Sequence, residues 1–243
     1  WHTFKLVSST DVKVTLDGQG ADEQLAGYLP YLMNYISSLS FTDMIKEAKL
    51  CSKIPDAKKY VFRGLTIGMF RVVFGEKLLN LFIHKVLRKN FEPSLNQVLL
   101  DATNRGLITL IHYADHTSMA FSIESRMPFM DYRLVEFLAS VPACFKMRNG
   151  WTKYIARVAF DGKLPDEVNW RKDKMGWPVP ENYWFRGNLK EWFIEKVEKS
   201  TLVKKLDTSL DIKKEIKGNV NITKLTRYLN IARYEKIFMK KSK

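Results

Sequence analysis

Residues 12–28 read VKVTLDGQGADEQLAGY, and this stretch decides the fold class of the chain. Its first five residues, VKVTL, are rich in β-formers and are typical of a buried strand. The DGQGAD sequence that follows is a glycine turn of the kind that closes a strand and opens a helix. We expect that helix to run from about Asp22 to Ser38, with a kink at Pro30. In α/β sheets such a junction lies at the carboxyl end of the strand, where ligands usually bind.

Beyond residue 38 the sequence favours helices. It predicts them over the ranges 41–50, 58–74, 77–89, 104–122, 131–140, 153–160, 188–200, 209–217 and 222–239. The stretch 165–180 is rich in proline and predicts a loop. We find no second convincing strand, so the strands that complete the sheet are expected to precede Trp1. The predicted fold is therefore α/β and predominantly helical, one domain over residues 1–243 that is truncated at its N-terminus.

The composition argues against several classes of protein. With 46% hydrophobic residues the chain can bury a core, which argues against disorder. Cys51 and Cys144 form no CxxC pair and have no histidine at ligand spacing, so neither a structural zinc site nor a disulfide scaffold is expected. No apolar run reaches the roughly 18–20 residues that span a bilayer, and the first residues do not resemble a signal peptide. These features favour a cytoplasmic protein without a membrane partner.

The chain is strongly basic, with a formal net charge of +14 from 40 Lys and Arg against 26 Asp and Glu. Such a charge fits an anionic partner, which could be a nucleic acid, a nucleotide or an acidic membrane surface, or it fits a solvated basic surface. Much of the excess lies in stretches such as Lys204–Lys205 and Lys240–Lys241, which look like exposed helix faces. Because the basic residues are dispersed and form no known motif, a nucleic-acid partner is not expected, although a basic RNA- or DNA-binding module stays an alternative.

The first cluster of candidate site residues lies in the glycine turn. Gly18 and Gly20 allow backbone N–H groups to approach a ligand closely. Asp22 and Glu23 follow on the first helical turn, and adjacent carboxylates beside a nucleotide suit Mg²⁺, which prefers hard oxygen ligands. The alternative is structural, because acidic side chains at a helix N-terminus are stabilised by the helix dipole and by capping.

The second cluster is the sequence DHTSMAFSIESRMPFMD at residues 115–131. Glu124 and Arg126 stand two residues apart just before Pro128, which indicates an extended segment, because the residue before proline avoids the helix. Such a segment can direct both side chains at one ligand. The alternative is an ion pair with only a structural role.

The third cluster is the sequence WRKDKMGWPVP at residues 170–180, a basic loop that proline closes and in which Gly176 forms a hinge. Lysine and arginine side chains on a mobile loop can hold phosphate and stabilise the negative charge of a transition state. The alternative is a solvated loop without a ligand.

Together, in this order and spacing, the three clusters resemble the glutamine-hydrolysing asparagine synthetase family of class B. That family carries SGxGxDExxxGGY, then DrxSMaxSxExRxPFxD, then an RxKxGFxxP-like loop, and the resemblance covers residues from about 12 to 238. It implies the C-terminal part of a synthetase domain with an adenine nucleotide alpha hydrolase-like fold, also called a PP-loop ATP pyrophosphatase fold. It also implies ATP and Mg²⁺ as cofactors, aspartate as substrate, and ammonia that a separate N-terminal glutaminase domain releases from glutamine.

The resemblance assigns a role to each candidate residue. It places Gly18 and Gly20 in the ligand-binding turn, with Asp22 and Glu23 near the nucleotide or substrate. It also makes Asp22 the candidate Mg²⁺ ligand.

The same resemblance makes Glu124 and Arg126 catalytic residues that line the site, and Asp115 a binding residue of the same wall. Lys174 matches the loop lysine that meets pyrophosphate and the developing charge, and Lys172 is the alternative at that position.

Several departures and absences limit the resemblance. Asp17 stands where many members have Ser, and Gln19 where others have Glu, which puts any acid–base or metal role of residue 19 in doubt. The SGGxDS loop that cradles phosphates in the family is absent from this sequence. We therefore expect the chain to be inactive alone. A homodimer is one option for its assembly. The remaining alternatives are a related adenylating enzyme, of the β-lactam or macrocycle synthetase kind, and a non-catalytic remnant.

Overall fold

A computed structural model describes residues 1–86, 94–173, 176, 180–217 and 221–239. The chain divides into two compact units, Trp1–Lys174 and Met175–Lys243. Among the described residues, no helix combines the length and the apolar character that crossing a membrane requires.

The first unit is helical except for two short strands. Its elements in chain order are α1 His2–Val7, β1 Val14–Leu16, α2 Ala21–Gln24, α3 Tyr31–Ser38, α4 Phe41–Cys51, α5 Lys58–Val86, α6 Leu95–Asp101, α7 Ile108–Met119, β2 Glu124–Arg126, α8 Tyr132–Ser140, α9 Ala143–Lys146, α10 Tyr154–Ala159 and α11 Asp166–Asn169. A π-helical segment, Ala102–Leu107, joins α6 to α7, and a 3-10 turn, Pro128–Met130, follows β2. The predominantly helical prediction is confirmed, and several predicted helices, such as 41–50 and 131–140, agree within one or two residues.

The two strands form a parallel sheet, with Val14 opposite Glu124 and Leu16 opposite Arg126. The expectation that no second strand follows residue 38, and that every partner strand precedes Trp1, is therefore wrong. The segment Glu124–Arg126 is polar and three residues long, so hydrophobic periodicity cannot detect it, although the effect of Pro128 on the preceding backbone correctly predicted an extended conformation. The prediction that β1 is buried is also wrong, because the side chain of Leu16 is 73% exposed.

The helix predicted over residues 22–38 is two helices, α2 and α3. Pro30 precedes the first residue of α3, and Ala26 adopts a left-handed conformation with φ of 58°. In α5, Gly75 interrupts the helical backbone with φ of 79° and ψ of 163°. This break agrees with the two helices predicted over 58–74 and 77–89, of which the second extends beyond the described residues.

The main core of the first unit lies among α3, α4, α5 and α6. Its fully buried side chains include Leu32, Ile36, Met44 and Leu99, each at most 2% exposed. Burial of one such side chain stabilises the fold by about 1.5–3 kcal/mol. This core fixes α4, on whose end the turn around Gly150 packs.

The second unit has its own helical core. Its helices are α12 Glu181–Arg186, α13 Lys190–Glu198, α14 Thr201–Leu206, α15 Ile212–Lys217 and α16 Ile222–Tyr234, and a π-helical segment, Glu235–Met239, continues the last helix. Phe193, Val203 and Leu225 are buried at its centre. The carboxylate of Glu235 accepts hydrogen bonds from the N–H groups of Thr201 (3.2 Å) and Leu202 (3.1 Å) and so caps α14.

Candidate functional site

The first two sequence clusters lie side by side in the structure. The backbone N–H of Asp17 donates to the carbonyl of Arg126 at 2.7 Å, directly after the paired strands end. The hydroxyl of Ser125 donates to Asp17 Oδ2, also at 2.7 Å, across a sequence separation of 108 residues. Asp17 thus fastens the glycine turn to β2.

The two glycines of the turn have different surroundings. Gly20 adopts φ of 93°, a conformation that favours glycine, and a Cβ atom there would lie 2.6 Å from Met130 Sδ, so the Met130 side chain packs closely on the turn. A Cβ atom on Gly18 would meet nothing within 4 Å. Gly18 therefore offers its backbone to open space, as a ligand-binding turn needs, whereas Gly20 holds the turn against the segment that follows β2.

Helix α2 is fixed to that same segment. The side-chain amide of Gln24 donates to the carbonyl of Phe129 at 2.6 Å, and Gln24 itself is only 5% exposed. This contact sets the direction of the helix that carries Asp22 and Glu23.

Asp22 forms an ion pair that the sequence did not predict. Its Oδ1 lies 2.8 Å from Nζ of Lys153, and both side chains are about one-third exposed or less, at 26% and 33%. A Cβ atom on Gly27 would lie 1.9 Å from Asp22 Oδ1 and 2.5 Å from Lys153 Cε, so glycine is needed to leave room for this pair. Lys153 adopts a left-handed backbone conformation, with φ of 55°, immediately before α10.

Glu23 faces inward rather than toward the open turn. It is 6% exposed and accepts a hydrogen bond from the hydroxyl of Tyr28 at 2.8 Å. Burial, and then this hydrogen bond to a carboxylate, raise the pKa of Tyr28 well above its ordinary value. Burial together with the charges of Glu23 and Asp22 raises the pKa of Tyr31 to about 12. Both phenols stay protonated at neutral pH, so Tyr28 can act as a donor to Glu23.

The geometry does not favour a metal site made of the two adjacent carboxylates. Asp22 turns to Lys153 and Glu23 turns to Tyr28, so the pair does not converge on one point. Among the described residues, no three His, Cys, Asp or Glu side chains come together in a way that could hold a metal ion. A Mg²⁺ ion at Asp22 would have to draw most of its ligands from phosphate and water.

Glu124 and Arg126 form a two-point ion pair on one face of β2. Arg126 Nε donates to Glu124 Oε1 at 2.9 Å, and Arg126 Nη2 donates to Oε2 at 3.1 Å. The hydrogen bond and the charge of Arg126 lower the pKa of Glu124. Both side chains are more than half exposed, and exposed pairs contribute little to folding stability. A ligand can therefore reach Glu124 or Arg126 and replace the other member of the pair as its partner.

Asp115 lies on α7, and its side chain is exposed. Its Oδ2 is 4.0 Å from His116 Nδ1, and its backbone carbonyl accepts a hydrogen bond from the buried hydroxyl of Ser118 at 3.0 Å. In the part of the chain that the structure describes, no hydrogen bond or ion pair joins Asp115 to Glu124 or Arg126.

The third cluster is only partly described, and the catalytic candidate Lys174 lies outside the described residues. Lys172 Nζ lies 4.3 Å from the ring centroid of Trp151, within the range of a cation–π interaction. Arg157 also contacts this ring, with Cζ 5.1 Å from its centroid, and the ring of Trp170 meets it edge-on at 5.2 Å. The start of the basic loop is therefore anchored on Trp151.

The segment 151–153 connects the clusters. Trp151 contacts Lys172 of the third cluster, and Lys153, two residues later, contacts Asp22 of the first cluster. The sequence predicts a helix over residues 153–160 but does not indicate that the segment 151–153 belongs to the site. The Asn149–Gly150 dipeptide is a turn signal that marks the segment, but no local pattern predicts which distant residues the turn approaches.

Comparison with known proteins shows which family the sequence matches. The sequence profile of the asparagine synthase family matches residues 1–228. Glutamine-hydrolysing asparagine synthetase 1 of Bacillus subtilis strain 168 is 29% identical over 217 residues, which cover 78% of this chain and 34% of that protein. Glutamine-hydrolysing asparagine synthetase 3 of the same strain is 35% identical over 208 residues, with 84% of this chain and 32% of that protein covered.

A more distant relative carries a different name. The amidase chyE of Penicillium rubens is 24% identical over 232 residues, which cover 75% of this chain and 34% of that protein. The chain thus spans about a third of the length of the curated relatives it matches. No solved structure matches the chain.

Proposed function

The chain belongs to the asparagine synthase family, and on this premise we propose that it forms part of a site that makes an amide at the expense of ATP. The β-carboxylate of aspartate attacks the α-phosphorus of ATP, pyrophosphate leaves, and β-aspartyl-AMP results. Ammonia then attacks the β-acyl carbon and AMP leaves with one of the former carboxylate oxygens. We further propose that residues 1–243 belong to one synthetase domain with an adenine nucleotide alpha hydrolase-like, or PP-loop, fold.

One observation carries this proposal: the glycine turn and the Glu124–Arg126 strand meet at the carboxyl end of the parallel sheet. Asp17 is bonded to both Ser125 and Arg126, and Gly18 beside it faces open space. Ligands of α/β sheets bind at this end of the strands. The position supports a role of Gly18 and Gly20 in shaping a nucleotide-binding turn.

The charged groups of the first unit support distinct roles. Glu124 and Arg126 act as catalytic residues that exchange their mutual ion pair for contacts with the substrate. Lys172 and the catalytic candidate Lys174 stabilise negative charge on the phosphates, as basic groups do in phosphoryl and nucleotidyl transfer. Asp115 contributes to the part of the site that α7 lines. Asp22 binds the nucleotide or substrate, and its ion pair with Lys153 supports this role by fixing the carboxylate.

Mg²⁺ accompanies the nucleotide in this proposal, where it would neutralise phosphate charge. Asp22 is the protein carboxylate that would hold it, with phosphate and water as the other ligands. Glu23 holds the turn in place through its hydrogen bond with Tyr28. In this proposal Glu23 contributes to nucleotide binding indirectly, by stabilising that turn.

The partners follow from the same chemistry. We propose that ammonia comes from glutamine through a glutaminase domain outside these 243 residues, and that the chain alone is inactive because its sequence contains no SGG phosphate loop. Assembly as a homodimer and a cytoplasmic location stay predictions.

An isotope experiment tests the reaction. In the intact natural protein that contains this sequence, aspartate labelled with ¹⁸O in the β-carboxylate should transfer one ¹⁸O atom to AMP. Unlabelled AMP, in a reaction that still consumes ATP and aspartate, would exclude the β-aspartyl adenylate.

A second candidate keeps the fold and changes the acceptor, as in adenylating enzymes that close β-lactam rings or macrocycles. The similarity to the amidase chyE supports an activity other than asparagine synthesis, because a protein with another activity name matches three quarters of this chain. Pyrophosphate release that depends on a carboxylic acid other than aspartate would decide for this candidate.

A further inference from the structure

The tight turn Arg148–Trp151 lies just before the segment that connects the sequence clusters. Arg148 and Trp151 exchange backbone hydrogen bonds of 3.1 and 2.9 Å, and the two residues between them both adopt positive φ, 52° for Asn149 and 72° for Gly150. Two successive positive φ angles are those of a type I′ turn, for which the Asn-Gly sequence is the strongest signal. A Cβ atom on Gly150 would lie 2.8 Å from Leu50 Cβ, so the turn packs tightly on the end of α4.

Glu47 of α4 holds this turn with both oxygens of its carboxylate. Oε1 accepts from the N–H of Asn149 at 2.8 Å, and Oε2 accepts from the N–H of Gly150 at 3.0 Å. Glu47 is only 6% exposed. A buried carboxylate needs such donors, and charge-assisted hydrogen bonds are stronger and shorter than neutral ones. The turn is therefore fixed at two consecutive peptide groups by one side chain from another helix.

The consequence for the site lies in residues 151–153, which begin with the last residue of the turn. Trp151 is the last residue of the turn, and Lys172 Nζ lies 4.3 Å from the centroid of its ring. Lys153 follows two residues later, and its backbone, with φ of 55°, directs it to Asp22 at 2.8 Å. A shift of the turn moves both side chains, because so short a segment cannot absorb it.

We propose that Glu47 is a positioning residue of the adenylating site: it fixes the turn at Asn149–Gly150 and so sets the places of Lys153, which pairs with Asp22, and of Trp151, which supports Lys172. This inference rests on the proposed function for its catalytic consequence. Glu47 itself contacts neither substrate nor the reacting atoms.

Substitution of Glu47 tests the proposal. Glu47→Gln keeps the shape of the side chain but leaves one oxygen acceptor and places an amide NH₂ against the second N–H. Glu47→Asp keeps the charge and shortens the reach by one methylene. The matched control is Asp43→Asn, which removes an exposed carboxylate from the same helix, one turn away from Glu47.

Two readouts are needed, both on the intact natural protein that contains this sequence. The first is hydrogen exchange of the peptides that cover residues 148–153 and 17–28. The second is kcat and KM of aspartate-dependent pyrophosphate release, measured well below the melting temperature of each variant.

For Glu47→Gln we expect faster exchange in both peptides and at least a tenfold loss of kcat/KM. Glu47→Asp should have a smaller effect on both readouts. For Asp43→Asn both readouts should stay within twofold of wild type. Exchange that is unchanged in residues 17–28, or a kcat/KM within twofold of wild type for Glu47→Gln, would overturn it. If the wild-type protein releases no pyrophosphate with any carboxylic acid, the proposed function fails by itself. The positioning of Asp22 by Glu47 is then decided by the exchange of residues 17–28.

A double substitution separates positioning from simple loss of stability. If Glu47 acts through Lys153, Glu47→Gln added to Lys153→Met should reduce kcat/KM by much less than it does in the wild type. A full additional tenfold loss in the double variant would show that Glu47 does not act through Lys153.

Discussion

Lys153 Nζ lies 2.8 Å from Asp22 Oδ1, and this ion pair joins two segments separated by about half the chain. Gly27 makes the pair possible, because any larger residue there would occupy the space of both partners. The glycine turn, the segment after β2 and the Trp151 region thus form one connected structure around Asp22.

Gly27→Ala should break this ion pair and lower the free energy of unfolding by about 0.2–1 kcal/mol, because the new methyl group displaces the ends of the Asp22 and Lys153 side chains and removes a partly exposed pair. Chemical denaturation of the two proteins measures the difference. Gly18→Ala is the control, since a methyl group there meets nothing within 4 Å and should leave stability nearly unchanged. If nucleotide approaches Gly18, however, the KM for ATP of this control should rise. Equal stability of both variants would contradict the close approach at Gly27.

Arg126→Lys should lower kcat/KM for pyrophosphate release about tenfold or more, because lysine keeps the charge but loses the planar two-point geometry. The melting temperature should change little, since the Glu124–Arg126 pair is exposed. Steady-state kinetics and thermal unfolding provide the two measurements.

Arg133→Lys is the matched control for this substitution. Arg133 forms a similar exposed two-point pair with Asp131, with donor–acceptor distances of 2.9 and 2.6 Å. Its kinetics should stay near those of the wild type. A loss as large as that of Arg126→Lys would assign both effects to the fold rather than to the site.

The sequence predicted several helices well, such as those over 41–50 and 131–140, because helical periodicity is a local signal. It missed β2, where Glu-Ser-Arg has no apolar alternation, and it missed Lys153 and Glu47, whose roles come from contacts with distant segments. Spacing alone also could not show that Glu23 turns inward to Tyr28 while its neighbour Asp22 turns to a lysine. Tertiary contacts of this kind decide which way each of two adjacent carboxylates faces.

Lys174→Ala should lower the rate of adenylate formation about 100-fold, because a cation placed at the developing charge contributes mainly in the transition state. Lys172→Ala should have a smaller effect, since its Nζ rests on the ring of Trp151. Single-turnover pyrophosphate release compares the two variants. Normal turnover of Lys174→Ala, or a larger loss in Lys172→Ala, would refute the assignment.

Glu235 makes the stability of the second unit dependent on pH. Hydrogen bonds from Ser200 and Thr201 lower the pKa of Glu235 to about 2. Because its folded pKa lies below the ordinary value of about 4.3, the carboxylate contributes stability that is present above pH 5 and is lost as the pH falls toward 2.

Glu235→Gln should therefore destabilise the protein by about 1–3 kcal/mol at pH 7. Each carboxylate oxygen accepts two hydrogen bonds, and the amide nitrogen that replaces one of these oxygens accepts none. The difference between the two proteins should shrink as the pH falls from 5 to 2. Denaturant unfolding across this pH range, followed by fluorescence, gives the comparison. A difference that stays constant with pH would exclude a titrating Glu235 as its cause.

The most direct test of the central claim is aspartate-dependent release of pyrophosphate from MgATP in the presence of ammonia. We would measure it for residues 1–243 alone and for the same residues joined to an upstream segment that carries a phosphate-binding loop. We expect pyrophosphate release only from the joined protein, and only when aspartate is present. Release by residues 1–243 alone would contradict the need for that loop, and absence of aspartate-dependent release from both would contradict the proposed reaction.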